Sequence, residues 1–460
     1  MSEPDRDLLC ALQTIWGFEH FRDHQQAIVE AVLADRDVLA VLPTGGGKSL
    51  TFQLPALLSR GTTLVVTPLV ALMENQVRRL RDQHVAAAGL HSELPAAERR
   101  AVLEGIDEGR WSLLYLAPET LLAPGVWDRL TRIPISRIVL DEAHCLASWG
   151  SSFRPAYHRL GAARRALGHP PLCAFTATAT PEVLEALVRL LGLVRPRRLV
   201  VHPYRPNLNL QVRWTWTARQ RRVQISAFLE QHRADAGLVY LRTRRGTEQL
   251  AAFLTAGGWQ TAFYHAGVRG EERRRLERDW LNGKLPFLVC TNAFGMGIDH
   301  PHVRWVLHAN LPSALEEYMQ EIGRAGRDGH PATALLLASE PTGLLDPSDR
   351  QLQTHLQRER EAQRQKAREV LKHLPATGIF KPDEALSLAL LHEQGRLIWE
   401  TPFEYRRTDR QEVVLKTPDY SMSGYVWTRR CRWQFLLAAF GLPESDPCGH
   451  CDRCCNRHAV

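Results

Sequence analysis

The chain has 460 residues, of which 44% are hydrophobic and 23% are charged. At roughly 150 residues per domain, this length predicts about three domains that can each bury a core. The N-terminus has no basic region followed by an apolar stretch, and no later segment is long and apolar enough to span a bilayer, so we expect neither a secreted nor a membrane protein. The formal net charge of +8 is compatible with a polyanionic partner.

Short β-branched runs alternate with amphipathic stretches in the first half of the chain, which is the rhythm of a parallel sheet covered by helices. The rhythm restarts after about residue 203 and predicts a second α/β lobe of the same kind. The predicted strands are residues 38–42, 62–67, 113–116, 138–140 and 172–176, and then 238–241, 261–264, 288–291, 305–307 and 333–337.

A glycine-rich segment, PTGGGKS, occupies residues 43–49 between a predicted strand and an amphipathic stretch. In this context the backbone amides at a helix N-terminus can wrap phosphates. Lys48 would reach the β and γ phosphates of ATP, and Ser49 would ligate Mg²⁺. The predicted nucleotide-binding residues of this loop are Thr44, Gly45, Gly46, Gly47, Lys48 and Ser49.

The tetrad DEAH, residues 141–144, ends an apolar strand. This places the Asp141 carboxylate at the carboxyl edge of the sheet, where Mg²⁺ is its natural partner. Glu142 would orient or deprotonate the attacking water. A lone histidine is often a satisfied core residue, but we interpret His144 as a coupling residue that faces Thr176 and Thr178.

A third phosphate-handling segment, QEIGRAGRDG at residues 320–329, lies in the second predicted lobe. Its arginines could reach a nucleotide only from a separate folded unit, so we expect ATP in a cleft between two lobes. Arg324 and Arg327 are spaced i and i+3, which predicts one face of a helical turn. We predict Arg327 as an arginine finger and Gln320 as a coupling residue.

Four of the nine cysteines lie near the C-terminus at metal-ligand spacing. Four thiolates would close a tetrahedral site, so a bound zinc ion would be structural. His450 and Cys455 are alternative ligands, but the spacing favours Cys431, Cys448, Cys451 and Cys454.

Together these motifs resemble those of RecQ-family DNA helicases of superfamily 2, from about residue 17 to residue 338 and again from residue 431 to residue 454. The segment GFEHFRDHQQ, residues 17–26, is similar to the family's adenine-reading element. The resemblance implies that Gln25 bonds the base edge, that Arg22 assists, and that Phe18 stacks.

The segment CLASWGSSFRP, residues 145–155, resembles the aromatic-rich loop with which the family senses single-stranded DNA. Trp149 and Phe153 would stack on bases and Arg154 would contact a phosphate or a base. Two serines, at 151 and 152, stand where the family usually has a histidine and an aspartate. This departure bears on how tightly DNA binding is coupled to hydrolysis.

Three further segments, residues 67–76, 175–180 and 289–299, resemble the family's motifs Ia, III and V. The first would touch the nucleic-acid backbone, the second would link the ATP state to lobe closure, and the third would serve the nucleotide cleft. The residues implied are Thr67, Pro68 and Gln76 for DNA, Thr176 and Thr178 for coupling, and Gly297 and Asp299 for the cleft.

An accessory region follows the second lobe. It is predicted as a charged helix from residue 349 to about 374, a short helix at 383–393 and two strands at 396–399 and 403–407, the outline of a winged helix. The sequence ends at Val460, which leaves no room for the winged helix and the C-terminal helicase-and-RNase-D domain that often follow in the family. We therefore expect this insert to substitute for that winged helix and to touch duplex DNA through Arg406 and Arg407.

The predicted domains are two RecA-like lobes at residues 1–203 and 204–345, the accessory region at 346–424 and a zinc module at 425–460. The resemblance implies an ATP-dependent DNA helicase that moves 3′ to 5′ on single-stranded DNA in repair or recombination, with ATP, Mg²⁺ and Zn²⁺ as cofactors. Its partners would be single-stranded and forked DNA, with single-strand-binding or repair proteins, in the cytoplasm at a bacterial nucleoid. The alternatives are a DEAH-type RNA-dependent ATPase and a DNA-binding or annealing scaffold.

Overall fold

The computed structural model describes residues 3–22, 24–43, 45–146, 154–295, 300–408, 420–443 and 446–455. The chain forms two compact units, and each unit contains two segments of the sequence. The first unit comprises Met1–Val201 and Arg360–Lys416, and the second comprises His202–Glu359 and Thr417–Val460. None of the helices in the described ranges is long and apolar enough to cross a membrane.

The first unit contains a seven-stranded sheet in the order β3-β4-β2-β5-β6-β1-β7, in which all neighbours are parallel. The strands are β1 (Val38–Val41), β2 (Thr62–Val66), β3 (Ala87–Leu90), β4 (Leu113–Leu116), β5 (Ile135–Leu140), β6 (Leu172–Thr176) and β7 (Arg197–Val200). The helices are α1 (Glu3–Trp16), α2 (Gln25–Leu33), α3 (Lys48–Leu58), α4 (Val70–Asp82), α5 (Ala96–Asp107), α6 (Pro118–Leu121), α7 (Pro124–Leu130), α8 (Leu160–Ala166) and α9 (Pro181–Leu191).

The central strands of this sheet are buried along most of their length because helices cover both faces. One face belongs to a cluster that contains Leu39, Leu64 and Leu140, and the opposite face to a cluster that contains Val65 and Val139. The order β2-β5-β6-β1 brings four strand ends side by side. Since parallel strands end at the same edge, the segments that follow these strands are neighbours there.

Two 3₁₀ helices flank residues 147–153. The DEAH turn is Ala143–Leu146, and the second, which we call the anchor turn, is Pro155–Arg159. The backbone N–H of Arg154 donates to the carbonyl of Cys145 at 3.4 Å. The two ends of the predicted aromatic-rich loop are therefore held together.

The second unit contains a six-stranded parallel sheet in the order β10-β11-β9-β12-β13-β8. Its strands are β8 (Leu208–Thr215), β9 (Ala236–Tyr240), β10 (Thr261–Tyr264), β11 (Phe287–Cys290), β12 (Val303–His308) and β13 (Ala332–Ser339). The helices of its first segment are α10 (Ala218–Gln231), α11 (Arg244–Ala256), α12 (Gly270–Leu281) and α13 (Leu315–Ile322). Helix α14 (Ser348–His373) then carries the chain back into the first unit.

The accessory region forms a small antiparallel sheet in the order β14-β16-β15, made of β14 (Thr377–Ile379), β15 (Leu397–Trp399) and β16 (Glu404–Arg407). Helix α15 (Ala385–Glu393) precedes the hairpin, and a 3₁₀ turn, Pro382–Glu384, leads into that helix. The core of this region includes Ala162 of α8 together with Leu388 and Trp399. The predicted region 346–424 is thus divided, and its helix and hairpin belong to the first unit.

The C-terminal segment contains α16 (Met422–Trp427), α17 (Arg432–Ala439) and α18 (Asp452–Cys455). These helices share one apolar core with the second sheet, because Trp433 and Leu436 lie in the same cluster as Leu208 and Leu210. The Trp433 indole also donates to the carbonyl of Leu208 at 3.2 Å. The cysteine segment is therefore packed against the second lobe.

The prediction of two parallel-sheet lobes flanked by helices is confirmed. Every predicted strand is present, with its ends shifted by at most a few residues. The strands that the pattern did not predict are β3, β7, β8 and β14. Of these, β7 and β14 are largely exposed, so they carry no continuous apolar run.

Candidate nucleotide, nucleic-acid and metal sites

The glycine-rich loop joins β1 to α3 at the carboxyl edge of the first sheet. Gly47 caps α3 with φ of 74°, in the left-handed region that glycine adopts without strain. A Cβ atom there would lie 2.2 Å from Nε2 of Gln25, so a side chain would displace the Gln25 amide from the loop. Lys48 and Ser49 are the first two residues of α3. The loop thus presents free helix N-terminal amides, the arrangement that binds phosphate.

Lys48 sits between the two carboxylates of the DEAH segment. Its Nζ lies 3.3 Å from Oδ1 of Asp141 and 3.1 Å from Oε1 of Glu142, and all three side chains are at most 15% exposed. Burial alone would lower the pKa of Lys48, but attraction to Asp141 and Glu142 outweighs it and raises that pKa above its ordinary value. Burial likewise opposes ionisation of Glu142, yet Lys48 holds the pKa of that carboxyl below its ordinary value. Burial instead raises the pKa of Asp141, so the single lysine does not favour the ionised form of both carboxyls equally.

Glu142 has a left-handed backbone, with φ of 50°, although it is not glycine. Such conformations store strain and collect at functional sites. The backbone N–H of Glu142 donates to Oδ1 of Asp141 at 3.0 Å, which stabilises the turn. The sharp reversal lets two consecutive carboxylates reach the same lysine.

A buried chain of one ion pair and two hydrogen bonds leads from Glu142 to β6. Nδ1 of His144 lies 3.3 Å from Oε2 of Glu142 and 3.1 Å from Oγ1 of Thr176. The Thr176 hydroxyl donates to the carbonyl of Thr178 at 2.9 Å. The structure therefore brings together the residues that the sequence predicted as coupling residues of this lobe.

The residues of the predicted adenine-reading element contact the glycine-rich loop. The guanidinium of Arg22 donates to the carbonyl of Gly45 at 2.8 Å, and the Gln25 amide donates to the carbonyl of Gly47 at 3.3 Å. Oε1 of Gln25 accepts from the backbone N–H of Arg22 at 2.9 Å. Phe18 is 54% exposed, so its ring has an open face. These contacts link the element to the glycine-rich loop. The sequence pattern did not predict the contacts.

The predicted DNA-contacting segment after β2 is largely buried. Thr67 is 1% exposed, and Pro68 is also buried, so direct DNA contact by these two side chains is not available in this structure. Gln76 is half-buried and accepts from the amide of Gln53 at 3.0 Å. The guanidinium of Arg154 donates to the carbonyl of Pro68 at 2.8 Å. The end of the aromatic-rich loop therefore lies against this segment.

The predicted arginines of the second unit follow α13, which contains Gln320 and ends at Ile322. The prediction that they share one face of a helical turn is wrong. Both arginines lie in the turns after the helix, because Gly323 ends it. Arg324 is buried and donates to the carbonyl of Gly295. Nε of Arg327 donates to the carbonyl of Gly323 at 3.4 Å. The two side chains therefore have separate environments.

The four predicted cysteines converge at the end of the second unit, and their sulfur atoms all lie within 4.8 Å of one another. The Sγ–Sγ distances include 3.5 Å for Cys451 and Cys454 and 3.9 Å for Cys431 and Cys451. A tetrahedron with Zn–S bonds of about 2.3 Å has edges of roughly 3.8 Å, so the donor set fits zinc. This is the structural zinc site that the spacing predicted.

Neither alternative ligand belongs to this cluster. Nδ1 of His450 lies 2.7 Å from the carbonyl of Cys448, and the exposed thiol of Cys455 faces the carbonyl of Gly449 at 3.7 Å. Arg432 ties the site to its surroundings, because it bonds Asp452 at 2.9 Å while it is 1% exposed. Asp452 in turn accepts from the backbone N–H of Val212 in β8 at 3.2 Å.

Five predicted site residues, Thr44, Trp149, Phe153, Gly297 and Asp299, lie outside the described residues.

Comparison with known proteins agrees with this geometry. Residues 22–187 match the DEAD/DEAH box helicase family, residues 220–329 the helicase conserved C-terminal domain, and residues 398–455 the RecQ zinc-binding family. The fold resembles that of the helicase Lhr of Mycobacterium smegmatis, solved with single-stranded DNA and AMP-PNP, with a TM-score of 0.58 and 22% identity over 73% of this chain and 47% of that one. The class is thus a superfamily 2 helicase with two RecA-like lobes.

The sequence relatives define the family more closely. The ATP-dependent DNA helicase RecQ of Synechocystis is 47% identical over 96% of this chain and 97% of its own length. The probable ATP-dependent DNA helicase RecS of Bacillus subtilis is 42% identical over 75% of this chain and 68% of its own length. The chain belongs to the RecQ family of ATP-dependent DNA helicases, as its motifs predicted.

The zinc site makes a specific prediction about metal content and stability. Cys448→Ser should lose the zinc and destabilise the second lobe as well, because the cysteine segment and that lobe share one core. The loss should amount to several kcal/mol, since structural zinc contributes about 10 to 16 kcal/mol in small peptides. Cys455→Ser is the matched control, and it should keep one zinc per chain and wild-type stability. Metal analysis and denaturant unfolding measure both effects, and soluble wild-type protein without zinc would refute the assignment.

Proposed function

We propose that this protein hydrolyses ATP to move 3′ to 5′ along single-stranded DNA and to unwind duplex DNA in repair or recombination. One observation carries the proposal: the buried cluster of Lys48, Asp141 and Glu142 lies in a chain that matches a RecQ DNA helicase over nearly its whole length. Single-stranded and forked DNA are the proposed partners, together with single-strand-binding or repair proteins. The proposed location is the cytoplasm, at a bacterial nucleoid.

In the proposed reaction, Lys48 exchanges its carboxylate partners for the β and γ phosphates of ATP. Asp141 and the Ser49 hydroxyl would hold Mg²⁺ through their oxygen atoms, and the ion would neutralise the charge that develops on the phosphates. Glu142 remains ionised and accepts a hydrogen bond or a proton from the attacking water. Burial opposes ionisation of Glu142, but Lys48 and His144 lower its pKa, and His144 stays beside it when Lys48 turns to the phosphates, which supports a role in orienting the water.

The neighbouring residues have proposed roles in binding and coupling. Phe18, Arg22 and Gln25 read the base, and Thr44, Gly45, Gly46 and Gly47 hold the phosphates. The hydrogen bonds of Arg22 and Gln25 to the loop support this role, because binding of the base would then affect the position of the phosphate-binding loop. His144, Thr176 and Thr178 transmit the state of Glu142 to β6 through their hydrogen bonds.

The second lobe contributes the remaining nucleotide-site residues in this proposal. Arg327 acts as the arginine finger and Gln320 as a coupling residue, with Gly297 and Asp299 in the same cleft. The buried bond from Arg324 to Gly295 supports a role for Arg324 in shaping that cleft. The proposed division into domains remains two lobes, an accessory region and a zinc module.

DNA contacts are proposed for Trp149, Phe153 and Arg154 and for the segment that contains Thr67, Pro68 and Gln76. The bond from Arg154 to Pro68 supports a common surface for these two segments. Since Thr67 and Pro68 are buried, the backbone and Gln76 are the groups of the second segment that would touch DNA.

A strand-separation assay with matched variants tests the proposed activity. Wild-type protein should unwind a duplex with a 3′ single-stranded tail and leave one with a 5′ tail intact. Lys48→Ala and Glu142→Gln should each lower ATP turnover by about 100-fold or more, because each removes a group that acts on the reacting phosphate or water. Both variants should keep wild-type affinity for single-stranded DNA, and the exposed Glu185→Gln should keep full activity. Near-wild-type turnover in either variant would contradict the assignment.

The accessory hairpin is proposed to contact duplex DNA through Arg406 and Arg407. Nε of Arg406 lies 2.6 Å from Oε1 of Glu400, and both side chains are about half exposed. Neutralising both arginines should weaken duplex binding across sequences and flatten the salt slope by about one to two units. Glu400→Gln is the opposing control, and it should strengthen binding because it frees Arg406. Unchanged affinity and slope in the double variant would assign the hairpin another role.

A further inference from the structure

The accessory insert, residues 374–408, is docked on the anchor turn and on helices α8 and α9 of the first unit. Three lobe arginines donate to its backbone: Arg159 to the carbonyl of Pro402 at 3.3 Å, Arg189 to that of Glu393 at 2.9 Å, and Arg165 to that of Trp399. These carbonyls lie at the end of α15, at the end of β15 and in the turn between the hairpin strands. Because all three acceptors are backbone carbonyls, these hydrogen bonds form only when the insert has its folded backbone conformation.

Two insert side chains meet the anchor turn directly. The guanidinium of Arg159 lies 3.7 Å above the ring centroid of Phe380, and Arg159 is 7% exposed. A desolvated cation over an aromatic face is among the stronger contacts of this kind. Nδ1 of His158 lies 3.2 Å from Nδ1 of His392, and the two rings meet edge to face.

The histidine pair is neutral. Burial lowers the pKa of His158 to about 3 and that of His392 well below its ordinary value. One neutral ring can then donate and the other accept across the 3.2 Å contact.

The other face of the anchor turn reaches the nucleotide site. The Tyr157 hydroxyl donates to the backbone carbonyl of Asp141 at 3.2 Å, and Tyr157 is completely buried. Arg154, immediately before the turn, bonds Cys145 and Pro68. The anchor turn, residues 155–159, thus contacts the insert on one side and Asp141 on the other, and it directly follows the proposed DNA-sensing loop.

We propose that the insert is a buttress that positions the anchor turn, so that Phe380 and His392 set how strongly DNA stimulates ATP hydrolysis. They are positioning residues, since neither contacts the nucleotide-site residues Lys48, Asp141 and Glu142. Besides the DEAH turn, the anchor turn connects this loop to Asp141, and that connection can pass on a displacement only if the turn resists movement. The insert supplies that resistance. This inference rests on the proposed DNA-dependent ATPase activity.

The test compares Phe380→Ala and His392→Ala, singly and together, with Ile379→Ala. Ile379 is the last residue of β14, directly before Phe380, and is 69% exposed, so it controls for a truncation at the neighbouring position. ATP turnover is measured in the full chain without DNA and with saturating oligothymidylate. The double variant should lose about tenfold in the stimulation ratio, the scale of a lost desolvated cation–π contact. Its basal rate and KM for ATP should stay at wild-type values, and Phe380→Tyr should restore stimulation.

Hydrogen exchange of residues 154–159 reports separately whether the turn has been released. Faster exchange with an unchanged stimulation ratio would overturn the proposal. An equal loss of the basal and the stimulated rate would also overturn it, because the insert would then only stabilise the fold. Should the double variant not fold, the single variants and Phe380→Leu make the same comparison. If DNA does not change ATP turnover of the wild-type protein, the proposed DNA-dependent ATPase activity is wrong. That result is distinct from a wild-type response that the variants leave unchanged, which would contradict only the role of the insert.

Discussion

The ion cluster of Lys48 with Asp141 and Glu142 is the interaction on which the site depends. A buried lysine and two buried carboxylates are each costly to ionise alone, and removing one partner from such a group is strongly destabilising. Here each carboxylate lies within 3.3 Å of the ammonium group, which offsets the cost of burying the charges. The cluster also explains the strained backbone of Glu142, because φ of 50° lets consecutive carboxylates face one ammonium group.

The parallel sheet places this cluster and its connections. Four adjacent strands end at one edge, where Lys48 and Asp141 follow β1 and β5 and Thr176 is the last residue of β6. The contacts from Glu142 through His144 to Thr176 are therefore short-range consequences of strand order. The anchor turn adds a second connection, from the Asp141 carbonyl through Tyr157 to the accessory insert.

Sequence patterns predicted the lobes, the zinc cysteines and the convergence of the glycine loop with the DEAH segment, because each depends on local periodicity or on fixed spacing. They could not predict the contacts of Arg22 and Gln25 with that loop, since polar side chains carry no periodic signal. The burial of Thr67 and the separate environments of Arg324 and Arg327 depend on tertiary packing and on the helix end at Gly323. The docking of the insert joins residues more than 200 positions apart, such as Arg159 and Pro402, which no local pattern reports.

The central claim is that single-stranded DNA controls the ATPase that this cluster performs. The most direct measurement is steady-state ATP turnover with single-stranded DNA and with RNA of the same length and base sequence, at equal salt concentration. The account predicts strong stimulation by DNA and little by RNA, with both responses absent in Lys48→Ala. Equal stimulation by RNA would contradict it, and so would an ATP turnover rate that neither nucleic acid changes.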